Sequence, residues 1–113
     1  MQDYESLCPH RDVVDKLREY KADGYHVILY TSRNMRTFGG NIGLIMANTA
    51  KSLIDWLDRN NIPYDEIHFG KPWAGRVGFY VDDRAVRPDE FLEMTPSQIY
   101  ALLSPKVRTA AGE

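Results

Sequence analysis

The sequence predicts a small α/β domain with helices on both faces of a parallel sheet. Three observations carry that expectation. Helical and strand-like periods alternate along the chain. The first strand-like run, Tyr25 to Tyr30, is short and nearly continuous in apolar residues, the pattern of a strand covered on both faces. Each run also ends abruptly in polar residues, as a chain does where it leaves the carboxyl edge of such a sheet. A length of 113 residues suits one domain. With 43% hydrophobic and 27% charged residues, the composition is that of a folded chain.

The first helix is expected from Pro9 to Asp23. Proline is tolerated in a first helical turn, where its missing N–H would have no partner. Val13, Val14, Leu17 and Tyr20 then recur on one face, Asp12 and Lys16 make an i,i+4 pair, and Gly24 stops the helix. The run Tyr25 to Tyr30 is β-branched and aromatic and reads as a buried strand, ending in Thr31-Ser32-Arg33-Asn34. A glycine-bearing loop spans Met35 to Gly43. A second helix follows to about Asn60, buried along Met46, Ala50, Leu53, Ile54 and Leu57, and is ended by Asn61 and Pro63. Further strands are expected at Glu66 to Phe69, before Gly70-Lys71-Pro72, and at Val77 to Val81, before Asp82-Asp83. Thr95-Pro96-Ser97-Gln98 has the spelling of a capping box and opens a last helix to about Leu103. The domain is expected over residues 1–103, with 104–113 a flexible tail.

Composition excludes several classes. A net charge of −2 gives no basic surface for nucleic acid. No apolar run reaches the ~18 residues of a membrane span. The segment Met1 to Leu7 lacks the basic start and apolar stretch of an export signal. The one cysteine, Cys8, forms no disulfide within the chain and reads as a small buried hydrophobe. Together these point to a cytoplasmic, reducing compartment.

In a parallel sheet the polar strand ends meet at one edge. That would gather Thr31, Lys71, Asp82 and Asp83: a hydroxyl, an ammonium and two carboxylates. Adjacent carboxylates suit Mg²⁺, which takes oxygen ligands and keeps several waters. A lysine and a threonine hydroxyl suit phosphoryl oxygens. Each residue alone has a plainer reading. Lys71 would be a surface lysine, Asp82-Asp83 with Arg84 a salt-bridged turn, and Arg33 and Arg36 solvated loop arginines. Arg84 and Arg87 are expected in structural ion pairs. His10, His26 and His68 have no metal-ligand spacing and are expected in structural roles.

The joint order of a strand ending in Thr31, then Lys71-Pro72, then a strand ending in Asp82-Asp83 resembles motifs two, three and four of the haloacid dehalogenase (HAD) superfamily. Response-regulator receiver domains use similar groups but place the acidic pair first. The stretches Tyr30 to Thr37, Gly40 to Gly43, Pro63 to Ile67, Gly70 to Trp73 and Phe79 to Ala85 are similar to the small capless HAD phosphatases linked to capsular-polysaccharide biosynthesis. The similarity runs over about residues 3–103.

This resemblance implies a three-layer α/β/α, Rossmannoid parallel sheet. It implies Mg²⁺-dependent hydrolysis of a phosphomonoester, a sugar phosphate being the expected substrate. Thr31 would hold a phosphoryl oxygen, Lys71 would neutralise charge, and Asp82, assisted by Asp83, would hold the metal. Ser32, Arg33, Asn34 and Arg36 would bind substrate. The family's nucleophile and general acid/base form an Asp-x-Asp pair on a first, central strand. The 113 residues contain no such pair, and Asp12-Val13-Val14-Asp15 has the wrong spacing and lies on a helix. The expected sheet therefore lacks its first central strand, through truncation, natural loss or supply by another chain. The chain as written is expected to be inactive. The alternatives are a non-catalytic phosphate- or partner-binding module and a phosphotransferase. An exposed sheet centre also offers a route to a homo-oligomer.

Overall fold

The computed structural model describes residues 10–105. Cys8, the Pro9 start of the first helix and residues 106–113 of the expected tail lie outside the described residues. The chain groups into two compact units, one ending at Phe79 and the other beginning at Tyr80.

The first unit contains α1 (Arg11–Ala22), β1 (Ile28–Thr31), α2 (Ile42–Ile45), a π-turn (Met46–Ala50), α3 (Lys51–Arg59) and β2 (Glu66–Phe69). Its core is formed by Val14, Val27, Ile45, Thr49, Ala50 and Leu57. Two of the helix ends follow one design. After α1, Gly24 adopts φ +96°. The Tyr25 N–H donates to Tyr20 O at 3.1 Å and the Gly24 N–H to Lys21 O at 3.0 Å. Tyr20 and Tyr25 meet edge to face, with ring centroids 4.8 Å apart. After α3, Asn61 takes the left-handed position at φ +55°. There the Ile62 N–H donates to Leu57 O at 3.0 Å and the Asn61 N–H to Asp58 O at 3.2 Å. Both satisfy the last carbonyls of a helix while turning the chain into a strand.

β1 and β2 pair in parallel, from Ile28 opposite Glu66 to Thr31 opposite Phe69. The α/β class and the parallel pairing are therefore present. Among the described residues the sheet has two strands, not the three the sequence led us to expect. The run Val77 to Val81 forms no strand: Val77 is 94%, Phe79 81% and Val81 91% exposed. The physical reason is twofold. A strand exists only by pairing, and among the described residues the sheet contains β1 and β2 alone. The chain also turns tightly before it, where a Cβ on Gly78 would lie 2.2 Å from Ala74 O. The expectation that the first strand is covered on both faces fails as well. Ile28 and Tyr30 stand half exposed on a face shared with Glu66 and His68.

The amino end of the strand pair is held by charge. The Asp65 carboxylate accepts from the Val27 N–H at 2.7 Å, and the Asp65 N–H donates to Val27 O at 2.7 Å. Lys21, at the end of α1, pairs with the same carboxylate. Glu66 bridges His26 at 2.6 Å and His68 at 3.0 Å.

The second unit carries α4 (Pro88–Glu93), which the sequence reading did not anticipate, and α5 (Pro96–Leu103). Glu90 Oε1 accepts from the Arg87 N–H at 2.8 Å and closes the start of α4. Thr95 and Gln98 form the reciprocal capping box: the Gln98 N–H donates to Thr95 Oγ1 at 3.2 Å, and the Thr95 N–H to Gln98 Oε1 at 2.8 Å. Ile99 is its buried residue. Among the described residues, no helix is long and apolar enough to cross a membrane.

The ionic clamp makes stability depend on pH. Hydrogen bonds from His26 and then His68 lower the Glu66 pKa below its ordinary 4.5. Those from Lys21 and then the Val27 backbone lower the Asp65 pKa below 3.8. A carboxylate whose folded pKa is lowered stabilises the fold above its unfolded value and loses that contribution as pH falls through the folded one. The melting temperature should therefore drop as pH falls below 4.5 and then below 3.8. Glu66→Gln should flatten the upper part of that loss. Circular dichroism melts across this window check it, and an unchanged melting temperature would contradict it.

Candidate functional site

The site grows from the carboxyl end of β1 and β2. Beyond the last paired residues, the Lys71 N–H donates to Thr31 O at 3.0 Å, so the ladder continues one step and brings Thr31 and Lys71 together. Gly70 makes this geometry available. It sits at φ +91°, and a Cβ there would lie 2.7 Å from Ile42 Cδ1. Only glycine combines that backbone with so close an approach to α2.

After Thr31 the chain forms a compact loop. The Thr31 Oγ1 accepts from the Arg33 N–H at 3.0 Å. Its own proton remains available to donate outward. Asn34 adopts φ +60°, and its side chain organises the loop. Asn34 Nδ2 donates to Thr37 Oγ1 at 3.3 Å, and Asn34 Oδ1 accepts from Thr49 Oγ1 at 2.9 Å. Thr49 is 2% exposed and lies in the π-turn. Such a turn inserts an extra residue into a helix and re-aims its side chains. Gly39 at φ +57° then ends a single helical turn, with the Gly40 N–H donating to Met35 O at 2.8 Å. The Asn41 side chain accepts from the Leu44 N–H at 3.1 Å and starts α2.

This loop and the segment after β2 enclose an open cavity of about 410 Å³, lined by Thr31, Ser32, Arg33, Asn34, Arg36, Thr37 and Trp73. That volume falls in the range of small-ligand sites. Its lining holds two guanidinium groups and no carboxylate. The Arg36 guanidinium lies over the Trp73 ring, 5.1 Å from its centroid.

Of the residues the sequence singled out, Thr31, Ser32, Arg33, Asn34 and Arg36 line this cavity, and Lys71 joins Thr31 through the backbone. Asn34 uses both ends of its amide to shape the loop. Asp82 and Asp83 belong to the second unit and do not stand at the end of a strand. Both are exposed, and Asp82 Oδ1 accepts from the Arg84 N–H at 2.8 Å. Arg87 Nε donates to Asp89 Oδ1 at 3.4 Å. Among the described residues, no group of three or more His, Cys, Asp or Glu side chains could hold a metal. Sequence reasoning assigned no site role to Trp73, Thr37 or Thr49. The signal for Trp73 was its place in the Gly70 to Trp73 stretch, two residues after Lys71. A buried threonine in a π-turn leaves none that helical periodicity can read.

The bond from Thr49 to Asn34 sets the loop's shape. Thr49→Val should cost about 1–3 kcal/mol by leaving a half-buried amide oxygen without its donor, whereas Thr49→Ser should largely retain stability. Urea unfolding of the two variants checks this.

No protein-family model matches the chain, and no curated protein matches it. A solved structure does match: the crystal structure of an MCSG target from Vibrio cholerae, with a TM-score of 0.87 and 48% sequence identity. The match covers 91% of this chain and 84% of that one. With that identity over most of both lengths, the chain belongs to the same family as this Vibrio cholerae protein.

Proposed function

We propose that the chain is a HAD-like phosphatase domain whose Thr31–Lys71 edge holds the phosphoryl group of a small phosphorylated substrate. The motif resemblance makes a sugar phosphate of polysaccharide biosynthesis the expected class. The observation that carries this reading is the 3.0 Å bond from the Lys71 N–H to Thr31 O, at the carboxyl edge where parallel sheets bind ligands. The cation-lined cavity begins at the same threonine. The parallel pairing of β1 and β2 supports the fold part of the proposal, a three-layer α/β/α sheet. The lone cysteine fits a cytoplasmic setting.

In this proposal the Thr31 hydroxyl, with its oxygen already accepting from the Arg33 N–H, donates to one phosphoryl oxygen. The Lys71 ammonium neutralises charge that builds on the phosphoryl group. Arg33 and Arg36 attract the anion to the cavity. The donor type of Asp82 and Asp83 fits Mg²⁺, which needs only one or two carboxylates beside waters and phosphate oxygens. The 113 residues include no Asp-x-Asp pair, so this chain by itself binds a phosphoryl group without supplying a carboxylate nucleophile.

The 113-residue chain should bind inorganic phosphate, and Lys71→Ala should weaken binding roughly tenfold or more through loss of a charge-assisted bond. It should not hydrolyse a generic phosphate ester in the presence of Mg²⁺. Calorimetry and a phosphate-release assay check these outcomes. Absence of phosphate binding would contradict the site, and robust hydrolysis abolished by Asp82→Ala would contradict the missing nucleophile.

A further inference from the structure

The cavity is more cationic than one phosphoryl group requires. In the proposed reading the phosphate is met by the Thr31 hydroxyl, which lines the cavity, and by Lys71, bonded to Thr31 through its backbone N–H; Arg33 and Arg36 line the cavity as well, and no carboxylate does. Arg36 is the distinctive one. It is exposed, no carboxylate among the described residues forms an ion pair with it, and its guanidinium lies 5.1 Å from the Trp73 ring centroid.

Stacking engages the flat face of a guanidinium. Hydrogen bonding uses its edge, where five N–H donors lie in a fixed fork. An arginine carried on an indole face is therefore held in place with its fork still able to grip an oxyanion in two-pronged fashion. The same stacking covers the Trp73 face toward Arg36. That arrangement favours a second anion over a neutral sugar ring laid on the indole.

We propose that Arg36, positioned by Trp73, recognises a second oxyanion, so that the site takes phosphate monoesters bearing another anionic group. The inference rests on the phosphoryl reading of Thr31 and Lys71. The shared chemistry is an oxyanion, either a carboxylate or a second phosphate. A cavity of about 410 Å³ accommodates a small molecule with two such groups. Arg36 makes the contact, and Trp73 is a positioning residue.

The test compares matched ligands on the full 113-residue chain by calorimetry: phosphoglycolate against glycerol phosphate for the carboxylate, and glucose bisphosphate against glucose phosphate for the second phosphate. At least one doubly anionic ligand should bind roughly tenfold tighter than its partner, the worth of one charge-assisted contact. Whichever pair shows the gain identifies the source of the second anion. In Arg36→Gln the ratio within that pair should fall to about one. Trp73→Leu should lower the ratio and Trp73→Phe should restore it, which loss of a merely structural side chain would not produce. Circular dichroism establishes that each variant is folded. A ratio near one for both pairs in the unaltered chain overturns the proposal, as does a ratio that survives Arg36→Gln. Inorganic phosphate serves as the separate control. If it binds and the ratios are flat, this inference alone fails. If it does not bind, the phosphoryl reading fails and takes the inference with it.

Discussion

The backbone bond from the Lys71 N–H to Thr31 O depends on the parallel direction of two four-residue strands, and the site depends on that bond. Antiparallel strands would send their exits to opposite ends. Parallel strands send both to one end, but they require a crossover to bring the chain back. Here α2, the π-turn and α3 provide it. The loop before the crossover and the segment after β2 therefore converge on the same cavity, although each is built locally by different residues.

Short strands gain little from their own ladder, so the ends carry much of the responsibility for register. At the amino end, Asp65 exchanges bonds with the Val27 backbone and pairs with Lys21. A slip by one residue would break that exchange and turn every side chain to the other face. At the carboxyl end, Gly70 lets the chain pass close to Ile42. The two ends thus divide the work between structure and binding. The amino end satisfies its charges internally through Asp65, Glu66, His26 and His68. The carboxyl end gathers cations around a cavity with no acid in its lining.

Much of this was legible because local chemistry and global fold agree. Gly24 and Asn61 stop their helices through backbone conformations that only a few residue types adopt readily. Thr95 and Gln98 cap α5 as their spacing implies. The strand ends at Thr31 and before Lys71 could be read because apolar runs stop there. The run Val77 to Val81 was misread for the complementary reason. Its composition is that of a buried strand, but pairing is a property of a neighbour and is not written in the run itself. Asp82 and Asp83, placed at a strand end by that reading, instead follow a segment that forms no strand. Trp73 and Thr49 escaped because their roles come from contacts across the fold, Trp73 under Arg36 and Thr49 behind Asn34.

The central claim is that the carboxyl end of the parallel pair binds a phosphoryl group. The most direct measurement is an amide-resolved NMR titration of the 113-residue chain with inorganic phosphate. The account predicts saturable shifts at Thr31 to Arg36 and at Gly70 to Trp73, with little change around His26 and Glu66. Shifts confined to His26, Glu66 and His68, or no saturable shifts at all, would contradict it.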